Sequence, residues 1–170
     1  MKSAQTKQLA IIGLLTALVT VATMAIKIPI TATGGYVNLG DSMIFLAAIL
    51  FGWRYGMIAG GLGSALADIL GGYGQWAIPT LIVKGLMGLI VGKIADQDND
   101  KVLNLRNILS LICGILWMTL GYYLTGAVML KSFIVPLSEA PFNLIQGSIG
   151  ALIFSPLGIA LKKSGVTKKN

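Results

Sequence analysis

The sequence predicts an all-α integral membrane protein, a single six-helix membrane domain over residues 1–170 with both termini cytoplasmic, and three observations carry that prediction. The first is composition. Of the residues 55% are apolar and only 11% charged, with a mean hydropathy of +0.82, where an ordinary soluble domain carries about 25% charged residues. Too few polar side chains remain to cover a water-facing surface, so the apolar surface faces lipid. The second is a series of six apolar runs, to be set against the about 20 residues that a spanning helix needs. The third is the uneven placement of the thirteen Lys and Arg residues along the chain.

The first run, from about Leu9 to Ile30, follows Lys2 and Lys7 much as a signal peptide would. It exceeds the apolar core of about 7 to 15 residues of such a segment and more runs follow, so it is read as an uncleaved helix. The second, Asp41 to Trp53, and the third, Gly56 to Leu70, are short and nearly continuous, which suggests a buried hairpin or a tilted pair. Gly56, Gly60, Gly61, Gly63, Ser64, Ala65 and Ala67 crowd the third run with small-xxx-small spacings, a face on which another helix backbone packs closely. The fourth run covers Ala77 to Ile94, the fifth Ile108 to Leu130 and the sixth Pro141 to Leu161. Pro141 suits a first helical turn, where its missing N–H is no loss.

Six crossings bring both termini to one side. Ten of the thirteen basic residues then share that side: Lys2, Lys7, Arg54, Lys93, Lys101, Arg106, Lys162, Lys163, Lys168 and Lys169. The opposite loops, 31–40, 71–76 and 131–140, hold only Lys131, while Lys27 and Lys84 fall within runs. By the positive-inside rule the termini are cytoplasmic, and the net charge of +7 reflects topology, with no nucleic-acid partner implied.

Several chemistries are excluded. With no histidine and with Cys113 alone, the chain has no imidazole base, internal disulfide or multi-thiolate metal site. No G-x-S-x-G, S-x-x-K or GxxxxGK[ST] pattern occurs, so neither a catalytic residue nor a P-loop for ATP is expected. The polar stretch Asp96 to Lys101 starts like an EF-hand but lacks the glycine at its sixth position and the glutamate at its twelfth, so a solvated cytosolic turn is expected rather than a metal site. No cofactor is implied.

Ionisable groups within the membrane cost about 2.5–3.5 kcal/mol on insertion scales and need a partner, water or a use. Lys84 lies about 10 Å into the fourth run at 1.5 Å per residue, on one face with Gly88 and Gly92. Asp68, one turn before the outer end of the third run, is the nearest candidate counter-charge. That pair either fixes two helices or leaves the lysine to donate to a ligand. Glu139, Asn143 and Gln146 follow at i, i+4 and i+7, a carboxylate and two amides on one stripe that either bridges helices or forms a hydrogen-bonding wall. Asn38 and Asp41 add to this wall from the first loop, although Asp41 could equally be a helix N-cap. Tyr73, Gln75 and Trp76, in a glycine-rich turn between two charged helix ends, suit a ligand lid.

The chain resembles the substrate-binding S components of bacterial energy-coupling factor (ECF) vitamin transporters. The resemblance runs through Val37-Asn38-Leu39-Gly40-Asp41, the Phe51 to Gly56 turn, Gly63 to Tyr73, Lys84-Gly85 and Pro141 to Gly147. It is greatest for the riboflavin-type and hydroxymethylpyrimidine-type branch. What it implies is a six-helix protein of the bacterial cell membrane that binds one vitamin or precursor near the outer face, under the first and third external loops. It also implies a transmembrane coupling (T) subunit and two cytosolic ATPase subunits as partners, the S component toppling within the lipid bilayer to deliver its ligand. The family's small-residue motif toward the coupling subunit corresponds to Gly13 and Ala17, with glycine in place of the usual first alanine. By position, the family's ligand contacts correspond to Tyr73, Gln75, Trp76, Lys84, Glu139, Asn143 and Gln146.

The mixture of lysine, carboxylates, amides and aromatics suits a small flat heterocycle, hydroxymethylpyrimidine or pyridoxine ahead of riboflavin, with Trp76 and Tyr73 stacking on the ring. The rival of a different class is a self-sufficient proton-coupled carrier in which Asp68 and Glu139 titrate.

Overall fold

The computed structural model describes residues 2–165; Lys168 and Lys169 of the basic set, and the side chain of Lys2, lie outside what it describes. Helix α1 (Lys2–Ala25) stops five residues short of the end of its apolar run. Pro29 disfavours helical backbone at Ile28 and has no N–H to offer a helix, and β-branched Ile26, Ile28 and Ile30 favour extended chain. Strand β1 (Lys27–Ile30) therefore pairs antiparallel with β2 (Gly35–Asn38), Lys27 opposite Asn38 and Ile30 opposite Gly35. This hairpin corrects two expectations at once: the first span is shorter, and Lys27 sits on a strand outside it. The second and third runs also differ in detail. Helix α2 (Gly40–Leu46) continues into one π turn (Ala47–Phe51), and Gly52, at a φ of 108° open to glycine alone, breaks the chain before α3 (Trp53–Leu70).

Helices α4 (Ala77–Ile94), α5 (Leu105–Leu130) and α6 (Ala140–Lys163) follow, the last preceded by a 3₁₀ turn over Val135–Glu139. Among the described residues, four helical segments are long and apolar enough to cross a membrane: Gln5–Ala25, Gly74–Ile94, Leu105–Leu130 and Val135–Lys163. Gly40–Phe51 is a shorter apolar helix. Large apolar side chains point away from the protein on these helices, including Leu14, Val21, Leu116 and Leu152, as expected where the outer solvent is hydrocarbon.

The core lies around α3, which packs chiefly against α4 and α1. Its small residues are used internally. A Cβ on Gly56 would stand 2.8 Å from the Gly88 carbonyl oxygen, and one on Gly88 would collide with the Gly56 backbone, so α3 and α4 touch main chain to main chain. On the other side a Cβ on Gly63 would stand 2.8 Å from the Thr16 carbonyl of α1, and the Thr20 hydroxyl donates to the Gly63 carbonyl at 2.9 Å. Val19, Phe45, Val83, Met87, Val91, Met118 and Phe154 fill the interior between the helices.

The two ends of the bundle differ in character. At one end the 95–104 connection is an organised turn: buried Asn107 accepts from the Asp96 N–H (2.7 Å) and donates to the Val102 carbonyl (2.8 Å). Asn104 caps α5, and the Lys162 ammonium donates to the carbonyls of Gln97 and Asn99. The hairpin, the 71–76 turn and the 3₁₀ turn before α6 meet at the other end.

Candidate ligand-binding site

Under the hairpin the helices leave a cavity of about 30 Å³, room for on the order of two water molecules. Admission of a ring therefore requires its walls to shift. Seven of the nine ligand-site residues expected from sequence line it: Asn38, Asp68, Trp76, Lys84, Glu139, Asn143 and Gln146. All seven are buried.

The floor is an ion pair. Lys84, 2% exposed, donates to Asp41, which is fully buried in the first turn of α2. This corrects the expected partner: the counter-charge of Lys84 is Asp41, not Asp68. The helix packing explains the change, because α2 lies against both α4 and α6, bringing Asp41 beneath the lysine, while Asp68 sits at the end of α3 beside the hairpin. Asp41 is also not an N-cap; Leu39 holds that position, without a side-chain cap. The Lys84 ammonium further contacts the Met118 sulfur at 2.8 Å and lies 5.6 Å from the centre of the Tyr122 ring. An ammonium carries three donors, so one remains beyond Asp41 and Met118.

Gln146 ties this floor to the hairpin. Its amide nitrogen donates to Asp41 Oδ2 at 2.8 Å, and its oxygen accepts from the backbone N–H of Asn38 at 2.9 Å. The Asn38 side chain turns back to accept from the Gly40 N–H at 2.9 Å. The stripe expected from the spacing of Glu139, Asn143 and Gln146 is thus realised, each residue reaching the cavity from a successive turn.

The roof is the hairpin, held at two further points. The Thr33 hydroxyl donates to Glu139, and the Tyr36 hydroxyl donates to Asp68 Oδ1 at 2.6 Å. Burial, then the bond and charge of Asp68, raise the Tyr36 pKa well above its ordinary value, so the phenol keeps its proton and remains the donor. Tyr73 packs on Tyr36 with ring centres 4.4 Å apart, and Lys27 lies over both rings at 5.2 and 5.7 Å. Tyr73 therefore stands behind the wall, and Gln75 is exposed, so neither lines the cavity. The aromatic lining comes from Trp76, Tyr36 and Tyr122, with Trp76 edge-on to Tyr122 at 6.2 Å.

Thr23, Ser64, Thr80 and Tyr122 also line the cavity, and the sequence reading passed them over. A signal existed for Tyr122. Asn107, Ser110, Leu111, Gly114, Met118 and Gly121 form the buried stripe of α5, and one more helical turn from Met118 reaches Tyr122. The expected partner-facing pair, Gly13 and Ala17, is exposed on the outer side of α1, with open space around Gly13.

Three comparisons with known proteins bear on this arrangement. A family model described as "ECF-type riboflavin transporter, S component" matches residues 3–163. An uncharacterized protein of Pyrococcus woesei is 42% identical over 145 residues, 85% of this chain and 95% of that protein. The thiamine precursor transporter HmpT of Lactococcus lactis subsp. cremoris is 28% identical over 163 residues, 94% of this chain and 90% of HmpT. The family is one of transporter subunits rather than enzymes, and together with the long apolar helices it marks a multi-pass membrane protein. With the match covering all but the extreme ends, the chain belongs to the family of ECF-type riboflavin transporter S components.

Proposed function

We propose that this protein is the substrate-specific subunit of an ECF-type transporter of the cell membrane, binding a small vitamin or vitamin precursor at the outer face without altering it. With the six crossings and cytoplasmic termini expected from the sequence, the cavity would face outward and the lysine-rich end inward. The observation that carries the binding role is the convergence of seven buried polar or aromatic side chains, from the hairpin, α3, α4, α6 and the turns between them, on one cavity. Lipid-embedded helices retain buried polar groups where a ligand path or site needs them.

The aromatic and amide lining, on walls that must already shift to admit one ring, favours a single-ring heterocycle of the hydroxymethylpyrimidine or pyridoxine kind over the three fused rings of a flavin. The likeness to a protein named as a thiamine precursor transporter supports the same choice. Inward delivery falls to a transmembrane T subunit and two ATPases, docked through the exposed Gly13 and Ala17 face of α1. Reconstitution in proteoliposomes tests this. Uptake of the heterocycle is expected only with the T subunit, both ATPases and ATP. Uptake by the isolated protein that collapses with the proton gradient would replace the proposal with a proton-coupled carrier using Asp68 and Glu139.

A further inference from the structure

A second cavity, a groove of about 580 Å³, lies at the end of the bundle that carries the 95–104 connection, between that connection and the end of α6. Its walls divide by chemistry. Val102, Leu103 and Ile159 give it an apolar floor, while three lysines, Lys101, Lys162 and Lys163, line it against one carboxylate, Asp100, an excess of two positive charges. Among the described residues, no carboxylate lies within ion-pair distance of any of these lysines.

The groove is held in shape by the turn itself. A Cβ on Gly158 would stand 3.2 Å from Val102 Cγ1, so Val102 seats directly on α6 at a glycine. The backbone of Lys101 is pinned on both sides: its N–H donates to Asn99 Oδ1 at 3.0 Å, and its carbonyl accepts from the Asn104 side chain at 2.9 Å. The Lys162 ammonium, bonded to the carbonyls of Gln97 and Asn99, keeps one of its three donors. Lys101 and Lys163 are exposed. Helix α5 begins at Leu105 and α6 ends at Lys163, and both helices are long and apolar enough to cross a membrane. A groove at their ends therefore lies at headgroup depth whichever way the chain is oriented. Exposed Leu105 and Leu109 continue the apolar surface along α5 from there. A free phosphate would leave the apolar floor uncovered. Negative charge at headgroup depth, with hydrocarbon beside it, is what an anionic phospholipid presents, and basic pockets between the ends of membrane helices bind such headgroups.

We propose that this groove binds an anionic phospholipid, its phosphodiester on Lys101, Lys163 and the remaining donor of Lys162, and an acyl chain along Val102, Leu103 and Ile159. The site is separate from the cavity under the hairpin and stands whatever that cavity holds.

The test uses the full-length protein in detergent, equilibrated with equal amounts of phosphatidylglycerol and phosphatidylcholine of the same chains, the retained lipid being counted by native mass spectrometry. The unaltered protein is expected to retain phosphatidylglycerol about 25-fold over phosphatidylcholine, about fivefold for each exposed lysine at about 1 kcal/mol. In the double variant Lys101→Gln, Lys163→Gln the preference falls toward one. In Arg54→Gln, Lys93→Gln it stays, since that pair lies at the same end of the bundle, against Trp53, and outside the groove. Equal retention of the two lipids by the unaltered protein overturns the proposal, as does a preference that survives loss of Lys101 and Lys163. An equal fall in both double variants overturns it in favour of diffuse charge at this end. In a further arm, inorganic phosphate added at constant ionic strength should leave the lipid bound; its displacement would show a site for phosphate alone and overturn the lipid assignment.

Discussion

Removing the charge of Asp41 tests the architecture of the site floor, because Lys84 would then be a buried ammonium with no counter-ion. Both partners are almost wholly enclosed, at 2% and 0% side-chain exposure, so solvent cannot rescue the one left behind. Breaking a pair of this kind costs about 3–5 kcal/mol. For a chain of this length, where 1 kcal/mol moves the midpoint by about 2–4 °C, the melting temperature should fall by about 6–20 °C. Asp41→Asn keeps the volume and an acceptor for Gln146, so the loss reports charge rather than packing. Adding Lys84→Met removes the stranded ammonium and should restore most of the stability. The double variant then lies well above the sum of the two single losses, with a coupling energy of about 3 kcal/mol at the upper end for contacting residues. Thermal unfolding in detergent, followed by tryptophan fluorescence, reads all four proteins. An Asp41→Asn protein melting within about 2 °C of the parent, or a double variant showing the full additive loss, would refute the assignment of Asp41 as the counter-charge.

Four further outcomes are expected. Gly88→Leu should lower the melting temperature sharply by driving α4 from α3, since a Cβ at that position already collides with the Gly56 backbone; an unchanged midpoint would contradict the main-chain contact. Asn143→Ala should weaken heterocycle binding at least about tenfold, the worth of one buried hydrogen bond at about 1.4 kcal/mol, while the protein still inserts and co-purifies with partners; unchanged affinity in titration calorimetry would move the site. Tyr36→Phe deletes the donor to Asp68 Oδ1 and should speed ligand release in stopped-flow measurements as the hairpin loosens; an unaltered off-rate would show that this roof contact does not control release. Ala17→Trp should block pull-down of the T subunit and leave binding by the isolated protein intact, because this face of α1 is exposed; equal loss of both would mean that Ala17 packs internally.

Much of the site was legible because the membrane makes polar residues conspicuous. Glu139, Asn143 and Gln146 announce a face through helical spacing alone, and Lys84 stands out as a charge in an apolar run. The small residues of the third run point to close packing, which the α3 contacts with α1 and α4 realise. What escaped was whatever depends on partners distant in sequence. Lys27-Ile28-Pro29-Ile30 is as apolar as a helix end, and only pairing with Gly35–Asn38 makes it a strand. Asp41 and Asp68 are both carboxylates near the same end of the bundle, and the choice of partner for Lys84 follows from where α2 packs. Tyr73 and Tyr36 differ in role for the same reason: the hairpin inserts Tyr36 into the wall, and Tyr73 stacks behind it.

The central claim, that this cavity holds a small nitrogen heterocycle, is tested most directly by mass spectrometry of the small molecules released on denaturing the purified protein. The account predicts a single heterocycle in near-stoichiometric amount from the unaltered protein, and its loss from Asn143→Ala protein purified in the same way. The absence of any such compound, or its equal retention by the variant, would contradict it.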